Sequence, residues 1–260
     1  MDEFITLTSE NIANEHLCCI IRTKKPHPGV EAKREWLARR LEEGHVFRKL
    51  NEKATVFIEY APLESAWVPA YGNFIYIYCL WVDGACKGKG YGKKLMDYCI
   101  ADAKAKCFSG VCMLGAEKQK AWLSDSAFAK KYGFTVADTS DSGYELLALS
   151  FDGSAPRFTS SAKAPSVPAS GFTAYYTMQC PFIPARLELI KSFCEKRDIP
   201  LTLFHVDTLE KAKSLPCPFN NWALFYNGAF QTVNLPDEAI LERILKKWNS
   251  EQPRQASLTK

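Results

Sequence analysis

Residues 74–82 (FIYIYCLWV), 83–94 (DGACKGKGYGKK) and 95–106 (LMDYCIADAKAK) form one continuous stretch whose reading decides the fold. The first nine residues are apolar or aromatic on both alternating faces: Ile75, Ile77, Cys79 and Trp81 on one, Phe74, Tyr76, Tyr78 and Leu80 on the other. Such a run predicts a strand buried on both sides of a sheet. Gly88, Gly90 and Gly92 follow at alternate positions, with Lys87, Lys89, Lys93 and Lys94 among and after them. An amphipathic helix is then expected from about Tyr91, carrying Leu95, Tyr98, Cys99 and Asp102 at three- and four-residue spacing. Strand, Gly-rich turn and helix start together make an anion site. Glycines let the backbone come close, the first N–H groups of the helix lack intrahelical partners, and the helix dipole favours negative charge. The spacing lacks both the later glycine of a dinucleotide fingerprint and the GK[ST] ending of a P-loop.

Around this stretch the chain of 260 residues is long enough for two domains of ordinary size, and 47% hydrophobic with 24% charged residues suits packed cores. A net charge of +4 fits an anionic small ligand and is too mild to point to nucleic acid. The acidic opening MDEFITLTSEN does not read as a secretory signal, and no apolar run reaches the length of a membrane span. Ten Cys without regular spacing, several inside apolar segments, are expected to be reduced thiols in a cytoplasmic protein. No CxxC and no Cys/His cluster of metal spacing occurs, so no metal is expected.

In chain order, a first strand is predicted over 4–7, a helix over 10–21, a turn at KKPHPG, and a second helix over 30–50 with Trp36, Leu37, Leu41 and Val46 on one face. Arg34, Arg39, Arg40 and His45 of that helix are candidates to touch a substrate, with solvent-facing charge the preferred reading. A strand over 54–60, the start of its antiparallel partner at 65–69, and the central strand follow. Beyond the glycine loop come a buried strand over 110–115, a helix over 124–132 closed by Gly133, and a final hairpin of 134–137 with 144–151. Ser124, Asp125 and Ser126 read as helix caps.

Two motifs give this half a family likeness. Lys87-Gly88-Lys89-Gly90-Tyr91-Gly92 resembles the pyrophosphate loop of GNAT-type N-acetyltransferases, and AFAKKYGF (127–134) resembles the helix ending in Gly-Phe common in that family. The resemblance covers residues 1–152 and implies a mixed α/β sheet flanked by helices. It further implies acetyl-CoA as co-substrate and an amine acceptor, a small molecule or a peptide. The loop residues Lys87, Gly88, Lys89, Gly90, Tyr91, Gly92 and Lys93 would hold the pyrophosphate, and the backbone of Leu80, Trp81 and Val82 would pair with the pantetheine arm and polarise the thioester. Glu64 and Glu59, with Glu117 as a third, are the candidate bases. The family's usual acid, a Tyr four residues before the Gly of Gly-Phe, is replaced here by Ala129, and Tyr132 is the nearest phenol in sequence.

Residues 153–171 are rich in Ser, Pro, Ala and Gly and are expected to be an exposed, semi-extended linker. Residues 172–250 then read β-α-β-α-β-β-α, with a hairpin turn at Asn227-Gly228, and residues 251–260 as a tail. This order resembles a smaller thioredoxin-like α/β domain, and the whole chain resembles the YoaP-type branch of the acetyltransferases. In thioredoxin-like folds the position of Cys180, at a helix start, is that of a nucleophilic thiol. Pro218 stands near their cis-proline; were it cis, Cys217 would approach Cys180, while an ordinary buried thiol is the preferred alternative. Position 183, where a resolving Cys would stand, is Ile. Three readings follow: an acetyl-CoA-dependent N-acetyltransferase, an acyl-CoA sensor without turnover, and a thiol-based redox or binding module using Cys180. Oligomeric state stays open.

Overall fold

A computed structural model describes residues 3–19 and 25–258. Its first unit contains β1 (Phe4–Thr6), α1 (Pro28–Leu41), β2 (Val46–Leu50), β3 (Val56–Pro62), β4 (Ala70–Tyr71), β5 (Phe74–Val82), α2 (Tyr91–Ala105), β6 (Gly110–Ala116), α3 (Ser126–Lys131), β7 (Thr135–Thr139) and β8 (Tyr144–Ser150). Seven of these strands make one sheet in the order β1-β2-β3-β5-β6-β8-β7. All neighbours run antiparallel except the central pair β5 and β6. The expected mixed α/β sheet with flanking helices is present, and α2 packs over β3, β5 and β6 through Leu95, Met96, Cys99 and Ala103.

Two irregularities in β5 position everything that follows. Its pairing with β6 ends at Ile77 opposite Met113, although both strands continue, so the sheet opens into a gap beyond that point. Against β3, Glu59 lies opposite Cys79 and Tyr60 opposite Ile77, which leaves Tyr78 as an extra, bulged residue. A bulge re-aims the side chains beside it.

The second unit follows β9 (Arg157–Phe158) and α4 (Ser160–Lys163), and holds β10 (Phe172–Tyr176), α5 (Ile183–Glu195), β11 (Leu201–His205), α6 (Leu209–Lys213), β12 (Trp222–Tyr226), β13 (Ala229–Thr232) and α7 (Glu238–Leu258). The sheet order is β11-β10-β12-β13, parallel only between β10 and β11. Helices α5 and α7 cover one face, burying Ile183, Ile190, Phe193 and Leu241 against Phe172 and Trp222. The other face joins the first unit in a single shared core, where Trp36, Leu37, Phe47, Phe57 and Trp67 meet Val206, Leu215, Cys217, Phe219 and Phe225. Docking is close. A Cβ at Gly29 would stand 1.8 Å from the carbonyl oxygen of Pro181, so only a hydrogen fits where α1 meets the segment leading into α5. Lys213 of α6 reaches across and donates to the carbonyls of Leu63 (2.6 Å) and Ala70 (2.8 Å). Burial lowers its pKa to about 8.

Several expectations are corrected. The 10–21 helix is replaced by turns, because the Asn11 side chain accepts from Thr8 N–H (2.9 Å) and donates to Thr6 C=O (3.1 Å), competing with helical pairing. The end of that predicted helix, residues 20 and 21, and the first residue of the KKPHPG turn lie outside the described residues. Helix α1 stops at Leu41, and Gly44 (φ +85°) turns the chain into β2, so Val46 belongs to a strand. Residues 65–69 are turns and bends; the strand that follows β3 and pairs antiparallel with it is β5 itself. The 153–171 segment is no exposed linker: Phe158, Ala162 and Val167 are buried, and β9 pairs with β4. Residues 251–258 continue α7 rather than forming a tail. No helix among the described residues is long and apolar enough to cross a membrane.

Candidate active site

The gap between β5 and β6 holds a cavity of ≈ 500 Å³, lined by Leu80, Val82, Met113, Ser124 and Phe128, with Lys87 of the glycine loop also on its lining. Backbone groups alternate along a strand. Leu80 N–H points into the gap, where it donates to Ser124 Oγ at 3.2 Å, and Val82 N–H faces the same way, while Cys79 and Trp81 pair with β3. At the mouth a 3₁₀ turn (Gly84–Cys86) leads through Gly88 (φ +78°) to Gly90 (φ +80°), the residue that caps α2. A Cβ on either glycine would meet nothing within 4 Å, so it is the left-handed backbone, not crowding, that calls for glycine here. The first helical N–H to find its carbonyl is that of Lys94, bonded to Gly90 at 3.1 Å, which leaves the N–H groups of Tyr91, Gly92 and Lys93 without intrahelical acceptors. Lys93 is held by Asp97 (2.6 Å) and Lys94 by Glu3 (2.8 Å). Lys87 and Lys89 carry no ion pair among the described residues, so they are the lysines free to meet an anion on this shelf.

On the far side of β5 lies a second cavity, ≈ 260 Å³, built from both units: Lys33, Cys79 and Trp81 on one wall, Gln179, Cys180 and Asn221 on the other. The two cavities share Leu80, Trp81, Leu123 and Ser124, so the end of β5 is the partition between them. Beneath the second cavity Glu59 is wholly buried in β3 and accepts three bonds: from Lys33 Nζ (2.6 Å), His45 Nε2 (3.1 Å) and Gln179 Nε2 (2.9 Å). An ionised carboxylate only accepts, so His45 carries its proton on Nε2. Burial alone would raise the Glu59 pKa, yet Lys33 and His45 hold it below the ordinary carboxylate range. Burial likewise works against the Lys33 charge, and Glu59 outweighs it, leaving Lys33 more firmly protonated than a free lysine. Gln179 is fixed in turn by Asn221 Nδ2 (2.9 Å), while Asn220 donates to the carbonyl of the bulged Tyr78 (3.2 Å) and accepts from Tyr76 Oη (2.9 Å). The second unit thus hydrogen-bonds directly to the strand that divides the cavities.

A model of the acetyltransferase (GNAT) family matches residues 10–134, and a YoaP-like model matches residues 200–243. The protein YoaP of Bacillus subtilis (strain 168), described as an uncharacterized N-acetyltransferase, is 38% identical over 245 residues, 93% of this chain and 98% of its own length. The chain belongs to the GNAT acetyltransferase family. Solved structures similar to this GNAT chain include Ard1 from Thermoplasma volcanium (17% identity, 61% of this chain and 99% of that one, TM-score 0.37). Another is the PaiA N-acetyltransferase of Thermoplasma acidophilum in complex with coenzyme A (16%, 57% and 99%, TM-score 0.38).

Within this GNAT fold the residues singled out from sequence are scattered. Leu80, Trp81, Val82, Lys87 and the glycines gather around the first cavity and its mouth. Glu64 does not join them: it is exposed, beyond the end of β3 where Pro62 faces Ile75, about 17 Å along the strand from Leu80. Tyr132, just past α3, lies half-buried against α2, its hydroxyl 3.4 Å from Asp97 Oδ1; burial and the Asp97 carboxylate raise its pKa to about 12, and it lines neither cavity. Glu117 is exposed. Cys180 is held as a thiol: burial raises its pKa to about 12, outweighing the Phe182 N–H and the nearby Lys33, which pull it down. Cys217 sits in the shared core instead of this cavity, and no peptide bond among the described residues is cis. Sequence reasoning passed over Lys33, Gln179, Asn220 and Asn221, and expected His45 to face solvent, whereas it is buried against Glu59. One signal was available: a lone Glu inside the otherwise apolar run 56–61 demands buried partners.

Proposed function

We propose that this GNAT chain is an acetyl-CoA-dependent N-acetyltransferase that transfers the acetyl group directly to a primary amine seated in the inter-domain cavity. The observation that carries the reading is the opening of β5 from β6, which turns the N–H groups of Leu80 and Val82 into a cavity that runs to the glycine loop. The backbone of Gly88 to Lys93 with Lys87 and Lys89 suits a pyrophosphate, and an N–H on β5 suits the thioester oxygen, whose charge grows as the amine adds. Acetyl-CoA supplies the activated acetyl group; the chain's own residues hold it beside the partition that the amine approaches from the other side. Glu59 anchors Lys33 and does not take the amine's proton, because all three donors already occupy it. The second unit reads as thioredoxin-like on its strand order, serving as the acceptor wall and not as a redox centre, since Cys180 is kept protonated.

The test is thiol release from acetyl-CoA against a library of amines, with coenzyme A binding followed in parallel. Saturable binding and amine-dependent thiol release are expected. Binding without turnover on any amine supports the second reading, an acyl-CoA sensor, which the lack of a carboxylate on the inter-domain cavity among the described residues favours.

A further inference from the structure

The inter-domain cavity has a chemical bias that its family membership does not supply. Its single fully charged lining group among the described residues is the Lys33 ammonium, and no carboxylate reaches its surface. The titratable groups facing Lys33 are Glu59 from β3, Cys79 from β5 and Cys180 ahead of α5, with His45 beyond Glu59. Burial keeps both thiols protonated, and both Glu59 oxygens are committed to Lys33, His45 and Gln179. A ligand ammonium entering here would meet a cation and find no anion to pair with, and it would lose its hydration as well. An uncharged amine meets neither cost. Flat aromatic side chains, Phe57, Tyr78, Trp81 and Trp122, make up much of the rest of the lining, with Trp122 edge-on to Phe182 at 5.4 Å across the two units. At ≈ 260 Å³ the space equals about nine waters at ~30 Å³ each, enough for a single-ring molecule.

Resting on the acetyltransferase reading above, we infer that the acceptor is a small aromatic amine bound in its uncharged form, selected by Lys33 and by the wall that the second unit supplies through Gln179, Cys180 and Asn221. In the transfer, the neutral nitrogen forms a C–N bond to the acetyl carbon, the C–S bond breaks, and the proton lost by the amine ends on the coenzyme thiol. No carboxylate base is needed, because the amine arrives already deprotonated.

Aniline and benzylamine test this, since both carry one ring and only benzylamine is a cation at neutral pH. Binding to the intact chain is read from tryptophan fluorescence, Trp81 and Trp122 both lining the cavity. At pH 7 aniline should bind at least about tenfold tighter, and benzylamine should gain about tenfold per pH unit from pH 7 to 9 as its competent fraction grows. Lys33→Met, which leaves Glu59 without its ammonium, should shift the preference toward benzylamine. Cys180→Trp, which fills the cavity, should remove aniline binding while coenzyme A still binds. Equal or tighter benzylamine binding at pH 7, a flat pH profile, or no binding of either amine would overturn the inference. So would aniline binding that survives Cys180→Trp. Selective aniline binding without thiol release would uphold the cavity assignment and remove the acetyl-transfer reading instead.

Discussion

The two sides of β5 are made of different material. On the β6 side the cavity is built from backbone: N–H groups freed by a strand that parts from its neighbour, and a loop whose glycines adopt φ near +80°. On the other side it is built from side chains drawn from positions as distant as Lys33 and Asn221, locked around one buried carboxylate. A backbone site is specified locally and tolerates exchange of most side chains around it. A side-chain site is specified only when remote segments arrive together, and each member is expensive to lose.

Three measurements sharpen that contrast. The largest effect is expected from Glu59→Gln, which leaves the Lys33 ammonium buried without its counter-charge. Unfolding free energy should fall by about 3–5 kcal/mol, with coenzyme A affinity kept within about twofold because the loop lies outside the network. A loss under about 1 kcal/mol in urea titration would mean that the network is not what locks this side.

Next is the backbone side. Lys87→Ala combined with Gly90→Val forces a β-branched residue into left-handed backbone, strain of about 1–2 kcal/mol, and removes the lysine that lines the cavity. Coenzyme A affinity measured by calorimetry should drop about a hundredfold, about 2.7 kcal/mol. Retained affinity would sink the placement of the loop.

The smallest effect concerns the seam between the units. Lys213 has an ordinary pKa of 10.5 when unfolded and about 8 when folded, so the unfolded state binds more protons between those values. Below pH 8 the folded protein bears the full cost of burying the charge. From pH 8 to 10 that cost is relieved, so the wild type should gain about 2 kcal/mol relative to Lys213→Met over this range. Parallel stability curves for the two proteins would show that Lys213 keeps its proton at the seam.

The same contrast explains what could be read from the chain. Residues 74–106 announced strand, loop and helix because each demand there is local: apolar faces on both sides, glycine at positive φ, a helix that starts on the last turn of the loop. Asp125, read as a cap, does accept from the N–H groups of Ala127 and Phe128. By contrast β2 was hidden inside an expected helix because Arg48 and Lys49 kept the charge pattern of α1 going past Gly44. The bulge at Tyr78 left no trace in the sequence, being a matter of register against β3. His45 looked like surface charge and Lys33 drew no reading, because nothing within a few residues of either tells that Glu59 waits on a strand beneath them. The 153–171 segment has the composition of a linker, and only three apolar residues, Phe158, Ala162 and Val167, betray that it is packed.

The shared core has a consequence in time. A chain is made from its N-terminus, and by residue 152 every strand of the seven-stranded sheet has been synthesised. Glu59 then still lacks Gln179, and Trp36, Phe47 and Phe57 still face water, because their cover includes Leu215, Phe219 and Phe225. The cofactor side of the molecule can take shape while the ribosome is at work; the cavity between the units is completed only once the segments from Gln179 to Asn221 have been made.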